Sequence, residues 1–331
     1  MPNEDLHIPI IDVTSLIDHG RNKERTAAEF NAACRTAGFF YITGHGIDPD
    51  LIEQLIQLSR KFFLQPIDNK KRIDMERAGR AWRGYFSVGQ ELTSGKPDQK
   101  EGVYFGQELP TNHPLVVSGT PLHGSNLFPD EPVGLREVVL DYMTALTGLG
   151  HRLMEGIALA LGLNQSYFEQ NGVAEPLTLF RIFHYPPTES DQLWGVGEHT
   201  DYGLLTILLQ DDVGGLEVKT PRGWIAAPPV PGTFVCNIGD MLDRMTRGVY
   251  RSTPHRVRNH SQRMRLSFPF FYDPNFFAQV KAIELPTGEA NSDDCPARWD
   301  QSSVHDFRGT YGDYLLSKVG KVFPELKTQV L

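Results

Sequence analysis

The sequence predicts a mainly β protein with flanking helices, in which a sandwich or jelly roll of strands follows an N-terminal α/β region. Short apolar segments separated by Gly and Pro fill residues 177–272, at a spacing typical of all-β cores. Residues 8–63 alternate strand and helix patterns, and a long helical pattern covers 133–161. We therefore expect three regions: an N-terminal α/β region at 1–115, the long helix with the β core at 116–275, and a helical tail packed on that core at 276–331.

The N-terminal region is predicted to contain two strands and two helices. Apolar residues recur at helical spacing over 22–37 and again over 49–63, where Asp48-Pro49 is a typical helix start. Short apolar runs at 8–13 and 39–43 predict strands. This alternation distinguishes the region from the strand-rich part of the chain that follows.

The predicted β core follows the long helix, which ends at Gly162, a residue suited to a helix C-terminus. The apolar stripe of that helix, from Leu135 to Ile157, favours packing against the sheet over a cofactor or partner surface. After about Ser303, apolar residues again recur at helical spacing and predict a helix in the tail. Core strands are predicted at 177–185, 203–210, 215–219, 223–227, 233–237, 249–258 and 264–272.

Composition and charge argue against several classes of function. The 331 residues carry a net charge of −9 without a Lys/Arg block, which argues against nucleic-acid binding. No apolar run approaches the roughly 18 residues of a membrane span, and the N-terminus lacks the pattern of a signal peptide. Cys34, Cys236 and Cys295 are widely spaced, which favours a reducing compartment. We therefore expect a cytoplasmic protein that acts without a membrane, nucleic acid or an obligate protein partner.

The segment His199-Thr200-Asp201 begins a strand-like stretch and is the first candidate metal site. In an extended chain, residues i and i+2 project to the same face, so His199 and Asp201 would lie side by side. His255 can supply a third ligand, because the 53 residues between it and Asp201 allow several strands and a return to the same end of a sheet. Two His and one carboxylate leave about three of six octahedral positions open, as in non-haem Fe(II) oxygenases.

A second polar pair follows ten residues after His255. Arg265 and Ser267 share one face of a predicted strand that is otherwise apolar. A guanidinium is costly to bury without an anion, and its forked geometry suits a carboxylate. Beside three candidate metal ligands, an anionic small molecule explains this pair better than an internal salt bridge does.

These motifs resemble those of the iron(II)- and 2-oxoglutarate-dependent oxygenases, in the branch that includes isopenicillin N synthase and the plant hormone and flavonoid oxygenases. The matching segments follow the family's order along nearly the whole chain. The resemblance implies a double-stranded β-helix, or jelly-roll, core. The segments are Gly38–Ile47, Arg181–Pro187, His199–Asp201, Asn237–Leu242, His255 and Arg265–Ser267.

The resemblance also implies roles for individual residues. Phe183 departs from the plant pattern, which has Asn at this position, so the resemblance implies no second polar contact to the cosubstrate there. No catalytic side chain is implied beyond the metal ligands. The Fe(2+) ligands implied are His199, Asp201 and His255. The residues implied to bind 2-oxoglutarate are Arg265, Ser267 and Tyr185.

Residues 76–113 are rich in Gly, Arg and aromatic residues and are predicted to be loop-like. In the family, the equivalent region covers the mouth of the active site and varies with substrate. A surface charge at Arg83 and core packing of the aromatic residues is an equally good alternative. The candidate substrate contacts are Arg83, Tyr85, Tyr104 and Phe105.

The function implied is that of a dioxygenase, which uses Fe(2+), 2-oxoglutarate and O2 to oxidise a small-molecule substrate and releases succinate and CO2. Hydroxylation is the default outcome, with desaturation or ring closure as variants. Three alternatives stay open. In an oxidase similar to isopenicillin N synthase, no cosubstrate is needed and Arg265 holds a substrate carboxylate. A non-catalytic metal-binding protein of the same fold, or a cupin-type Zn or Mn protein, would not need 2-oxoglutarate.

Overall fold

The computed structural model describes residues 7–18, 22–188, 194–259, 261–291, 298 and 301–323. Cys295 and the two ends of the chain, at 1–6 and 324–331, lie outside the described residues. None of the described helices is long and apolar enough to cross a membrane.

The described chain forms two main β-sheets, a short hairpin and a set of helices. The strands are β1 (Ile10–Asp12), β2 (Phe39–Thr43), β3 (Gly84–Phe86), β4 (Leu92–Thr93), β5 (Lys96–Pro97), β6 (Glu101–Gly106), β7 (Leu177–Tyr185), β8 (Val196–His199), β9 (Leu205–Gln210), β10 (Leu216–Thr220), β11 (Gly223–Ala226), β12 (Phe234–Ile238), β13 (His255–Val257) and β14 (Arg265–Asp273). The α-helices are α1 (Thr14–Ile17), α2 (Lys23–Thr36), α3 (Pro49–Phe63), α4 (Ile67–Lys70), α5 (Pro114–Val117), α6 (Leu135–Ala160), α7 (Asp240–Met245) and α8 (Tyr311–Val322).

The larger sheet has eight strands in the order β1-β2-β12-β9-β14-β7-β6-β3. Its neighbours pair antiparallel, apart from the parallel pair β1 and β2. Strands from the N-terminal region therefore lie at both edges of this sheet, and strands from the predicted core lie at its centre. The smaller sheet has the order β11-β10-β13-β8. A cavity between the two sheets is lined by residues of both.

Helix α6 packs against the larger sheet, as its apolar stripe predicts. Gly150 lies directly on the ring of Tyr272 in β14, where a Cβ atom would come within 2.3 Å of the ring. The hydroxyl of Tyr272 is also within 2.7 Å of His151 Nδ1. A single glycine thus allows the middle of the long helix to approach the sheet closely.

The region 76–113 is not a loop throughout, and this part of the sequence-based expectation is wrong. Strands β3 and β6 lie within it, and β6 is buried along its whole length between β3 and β7. A strand buried on both faces lacks the alternation of polar and apolar residues that identifies a strand in a sequence. Gly102 and Gly106, near the two ends of β6, further weaken the sequence pattern that predicts a strand.

The two described cysteines are buried free thiols. Cys34 lies on α2 and Cys236 on β12, so each belongs to a different part of the sequence. Burial raises the pKa of Cys34 to about 12. Burial, together with the nearby Cys34, raises the pKa of Cys236 as well. Both thiols are therefore protonated at neutral pH.

Candidate active site

Three metal-ligating side chains meet at one end of the space between the sheets. His199 ends β8 and pairs in register with His255, the first residue of β13. Asp201 follows two residues after β8, in the connection to β9. Its Oδ1 lies 3.9 Å from His199 Nε2 and 3.7 Å from His255 Nε2. Within the described part of the chain, this is the only cluster of three or more such residues whose ligand atoms all lie within 4.8 Å of one another.

Neighbouring groups orient each of these side chains. His199 Nδ1 lies 2.8 Å from the carbonyl of Gly197, and His255 Nδ1 lies 3.1 Å from the carbonyl of Thr253. A ring nitrogen that donates to a carbonyl leaves the other nitrogen, Nε2, free to bind a metal. The second oxygen of Asp201, Oδ2, accepts hydrogen bonds from Thr206 (2.6 Å) and Asn237 (2.7 Å).

The protonation states suit a cation between these residues. Burial, followed by the neighbouring His199, lowers the pKa of His255 to about 4, so its imidazole is neutral at physiological pH. Burial opposes ionisation of Asp201, but the two imidazoles and the two hydrogen bonds outweigh it, and the net effect lowers the pKa of this carboxyl. A neutral imidazole and an ionised carboxylate are the forms that bind a metal.

Arg265 is fully buried beside this cluster, at the start of β14. Its guanidinium lies 4.5 Å from the centre of the Tyr185 ring, the residue opposite it on β7. Nε and Nη1 have no hydrogen-bond partner among the described residues, and Nη2 makes only a 3.5 Å contact with Gln210. Ser267 is also buried, two residues along the same strand. A buried cation with unused donors is a binding site for an anion.

The metal cluster and Arg265 line one continuous cavity. The cavity is bounded by the larger sheet on one side and by β8, β10 and β13 on the other. Helix α8 covers another side through Leu315, Val319 and Val322. An anion held by Arg265 would therefore share an enclosed space with a metal held by the cluster.

One of the four predicted substrate contacts lines this cavity. Tyr104 does, but Arg83, Tyr85 and Phe105 do not. Phe105 follows Tyr104 on β6 and points to the opposite face of the sheet. The Tyr85 hydroxyl is hydrogen-bonded to Glu101, away from the cavity. For these two aromatic residues, core packing is the correct alternative.

Arg83 is neither a cavity residue nor a surface charge. It is only 1% exposed, its guanidinium lies against Gly106, and Nη2 donates to the carbonyl of Leu122 at 2.8 Å. Strand β3 begins directly after it and holds it inside the fold. Both alternatives considered for this residue are therefore wrong.

Sequence reasoning gave no site role to four charged residues that line the cavity, namely Glu91, Lys100, Arg181 on β7 and Asp273 on β14. The sequence could have indicated Arg181 and Asp273, because every second residue of a strand points to the same face of the sheet. Arg181 is four residues before Tyr185, and Asp273 is eight residues after Arg265. Each is therefore on the same face as the residue already singled out.

Comparison with known proteins places the chain in a family. Residues 176–274 match the family model of the 2OG-Fe(II) oxygenase superfamily, and residues 8–131 match that of the non-haem dioxygenase in morphine synthesis N-terminal region. A probable iron/ascorbate oxidoreductase of Dictyostelium discoideum is 52% identical over 98% of this chain and 97% of its own. The chain belongs to the 2OG-Fe(II) oxygenase superfamily. The predicted family is therefore confirmed.

Two further proteins are similar to this 2OG-Fe(II) oxygenase, one in sequence and one in structure. A 1-aminocyclopropane-1-carboxylate oxidase of Dictyostelium discoideum is 40% identical over 96% of this chain and 95% of its own. The crystal structure of Neurospora crassa T7H in complex with α-ketoglutarate (2-oxoglutarate) and thymine superimposes with a TM-score of 0.78 at 29% identity, covering 97% of this chain and 98% of T7H. These matches confirm the jelly-roll core. The protein is an oxidoreductase, a dioxygenase that uses Fe(II) and 2-oxoglutarate.

Proposed function

We propose that this oxygenase hydroxylates a small-molecule substrate in the cavity between its sheets, with Fe(II) bound by His199, Asp201 and His255. Arg265 and Ser267 bind the distal carboxylate of 2-oxoglutarate, and Tyr185 supports them. The observation that carries the proposal is the fully buried Arg265, whose Nε and Nη1 lack partners among the described residues, in the same cavity as the three metal-ligating side chains.

The residues fit both groups. The cluster offers two imidazole nitrogens and one carboxylate oxygen, a donor set that suits Fe(II) and leaves open positions. Arg265 offers unused N–H donors in a fork that matches a carboxylate. The Dictyostelium oxidase is named for 1-aminocyclopropane-1-carboxylate, and the T7H structure contains thymine. Both are small molecules, which supports a small substrate for this protein.

Fe(II) and 2-oxoglutarate, when bound by these residues, would supply O2 activation and two of the four electrons that reduce O2; the C–H bond of the substrate supplies the other two. In balance, substrate R–H, 2-oxoglutarate and O2 give R–OH, succinate and CO2. The chain itself binds and orients the reactants. Asp201 is held by Thr206 and Asn237, and the Arg265 guanidinium is supported by the Tyr185 ring. Apolar lining residues restrict water from the site.

Anaerobic titration with Fe(II) and 2-oxoglutarate tests this assignment. A 2-oxo acid chelated to Fe(II) gives a weak visible charge-transfer band, which we expect in the wild type. His199→Ala should abolish the band because it removes a metal ligand. Arg265→Ala should raise the 2-oxoglutarate concentration needed for half-saturation by about 10- to 100-fold, the effect of losing a charge-assisted contact. Arg136→Ala, at an exposed arginine of α6, is the matched control and should behave as the wild type.

Two results would contradict the assignment. Iron binding without the band in the wild type would favour an oxidase that takes its electrons from the substrate, with Arg265 as a substrate ligand. An unchanged band in His199→Ala would exclude this residue as a ligand. Succinate release measured with a substrate panel then separates turnover from binding.

A further inference from the structure

Apart from Glu91 and Lys100, which pair with each other, two charged side chains in the cavity are not used by the metal or by 2-oxoglutarate. They are Arg181 and Asp273, on the cavity faces of β7 and β14. One is a guanidinium and the other a carboxyl group, and the two form no ion pair within 4 Å in the described structure. Each therefore needs a separate explanation.

Arg181 presents a guanidinium without an anion. Its carbon Cζ lies 3.5 Å from the centre of the Tyr104 ring and 5.4 Å from that of Phe271, so aromatic faces hold it in place. Its buried Nη1 has no hydrogen-bond partner among the described residues. The Tyr104 hydroxyl is in turn fixed by Glu91 at 2.7 Å. This arrangement orients the guanidinium but places no carboxylate within ion-pair distance of it among the described residues.

Asp273 presents a carboxyl group with one free oxygen, and a cationic ligand beside that oxygen would favour the ionised form. The side chain is only 3% exposed, and Oδ2 accepts a hydrogen bond of 2.6 Å from the hydroxyl of Tyr311, the first residue of α8. Oδ1 has no partner among the described residues. It lies against Gly203, where a Cβ atom would be 1.5 Å away. Gly203 is two residues after Asp201, so the free oxygen is close to the metal cluster.

Lys100 and the carboxylates near it in the cavity wall, by contrast, are paired with one another. Lys100 Nζ lies 2.5 Å from Asp98 and 3.0 Å from Glu91. Burial favours the neutral amine of Lys100, but the two carboxylates outweigh it and raise its pKa. Buried ions are normally compensated in this way. Arg181, Asp273 and the proposed 2-oxoglutarate ligand Arg265 are the described charged residues of the cavity that lack such a partner, and only Arg265 is used by the cosubstrate.

We propose that the substrate is a small zwitterion of the amino-acid class, whose carboxylate binds Arg181 and whose cationic nitrogen binds Asp273. The inference rests on the proposed function, because it takes the remainder of the same cavity as the substrate site. A ligand with both charges compensates both side chains at once. A neutral molecule compensates neither, and a monocarboxylate or an amine compensates only one. Asp273 places the nitrogen end beside the connection that carries Asp201.

The first arm of the test measures substrate class with the iron-loaded enzyme. Succinate release is recorded with the standard L-amino acids and other free amino acids, with neutral nucleobases, and with monocarboxylic and dicarboxylic acids. Each active amino acid is also tested as two derivatives: its amide, which lacks the carboxylate, and its N-acetyl form, which lacks the cationic nitrogen. We expect turnover with an amino acid and a loss of at least about tenfold in kcat/KM for each derivative. Activity confined to a class lacking one of the charges, or no response to any amino acid, would overturn the proposal.

The second arm measures the two side chains. Arg181→Gln should raise KM for the active amino acid by about 10- to 100-fold and abolish the preference for the free acid over its amide. Asp273→Asn should abolish the preference for the free amine over its N-acetyl derivative. A merely structural role would lower activity without changing these ratios. Arg136→Gln and Asp212→Asn, at exposed side chains, are the matched controls.

The charge-transfer band with 2-oxoglutarate separates this proposal from the one on which it rests. The band should form in Arg181→Gln and Asp273→Asn with wild-type half-saturation. A normal band with unchanged substrate ratios in both variants means that the proposed function stands and the zwitterion proposal fails. No band in the wild type means that the proposed function itself fails.

Discussion

The two oxygens of Asp201 have different roles. Oδ1 faces the imidazoles of His199 and His255, and Oδ2 is held by two hydrogen bonds from the larger sheet. A carboxylate held in this way can present one oxygen to a metal without first losing rotational freedom. Groups that orient a metal ligand typically change metal affinity 10- to 100-fold.

Asn237→Ala should therefore weaken Fe(II) binding by about 10- to 100-fold, because Asp201 loses one of the two donors that orient it. Thr206→Val should act in the same direction. Anaerobic Fe(II) titration followed by the charge-transfer band measures the effect. Asn164→Ala, at an exposed asparagine, is the control. Wild-type iron affinity in both variants would mean that the hydrogen bonds do not orient the ligand.

Asp273 makes the stability of the metal-free protein depend on pH. Burial raises the pKa of this carboxyl from its ordinary value of 3.8 to about 7. Because the folded state binds the proton more tightly, the stabilising contribution is complete below about pH 4 and is lost as the pH rises to about 7. Asp273→Asn removes this dependence, and at pH 8 it should raise Tm by at least about 2 °C.

Thermal unfolding in EDTA at pH 5 and pH 8 tests this prediction. Asp212→Asn, at an exposed aspartate, should leave the pH dependence as in the wild type. A lower Tm for Asp273→Asn at pH 8 would show that the ionised carboxylate stabilises the fold.

At the residue scale, spacing predicted which side chains two residues apart lie together, either within a strand or directly after its last residue. His199 and Asp201, and Arg265 and Ser267, are two residues apart, and this is enough to bring each pair together. Asn237 makes its contact through strand pairing between β12 and β9, which depends on the order of strands in the sheet. That order is not encoded in local spacing, so the contact could not be derived.

Helix α7 is tied to the rest of the fold by a buried ionic network. Arg298 lies 2.8 Å from Asp240 and 2.9 Å from Asp243, the two carboxylates that α7 directs inward. Tyr314 of α8 donates to Asp240 at 2.6 Å, and so does Ser252, three residues before His255. The network therefore links α7 and α8 to the segment that delivers a metal ligand.

Arg298→Met should destabilise the protein by about 3–5 kcal/mol, because it leaves two buried carboxylates without their cation. Urea unfolding monitored by circular dichroism measures the loss. Arg136→Met, which removes an arginine from the exposed pair with Glu108, should cost no more than about 1 kcal/mol. Equal effects of the two substitutions would contradict the role of the network.

At the element scale, the sequence predicted the four long helices α2, α3, α6 and α8 and most core strands with small shifts in their ends, but not the short helices α1, α4, α5 and α7. Strand 39–43 was predicted with its observed bounds, and the predicted helix 22–37 is observed as Lys23–Thr36. The long segment 249–258 was wrong as a single strand, since only His255–Val257 pairs. An apolar run shows that a segment is buried, but pairing depends on a partner elsewhere in the chain.

In the whole molecule, the N-terminal region completes the sheet that carries the site. β2 pairs with β12, and β6 pairs with β7, so the central strands have N-terminal partners on both sides. The regions 1–115, 116–275 and 276–331 remain a prediction about the sequence. The sheet itself spans the first two of them.

A fragment of residues 116–331 should not fold, because β12 and β7 would become long unpaired edges and apolar surface would be exposed. Expression of this fragment beside the full chain, with thermal melts followed by circular dichroism, tests the expectation. A cooperative melt of the isolated fragment would show that the N-terminal region is dispensable for folding.

The two buried thiols allow the rate at which the native protein opens to be measured by chemical labelling. A thiol reagent reacts with the thiolate, and Cys34 and Cys236 are both protonated and shielded in the native state. Because one lies on α2 and the other on β12, modification of both requires the N-terminal region to separate from the central strands. The slow phase of labelling therefore measures how often the native enzyme opens. Any slowing of that phase by Fe(II) and 2-oxoglutarate would report how far the bound site holds the two parts together.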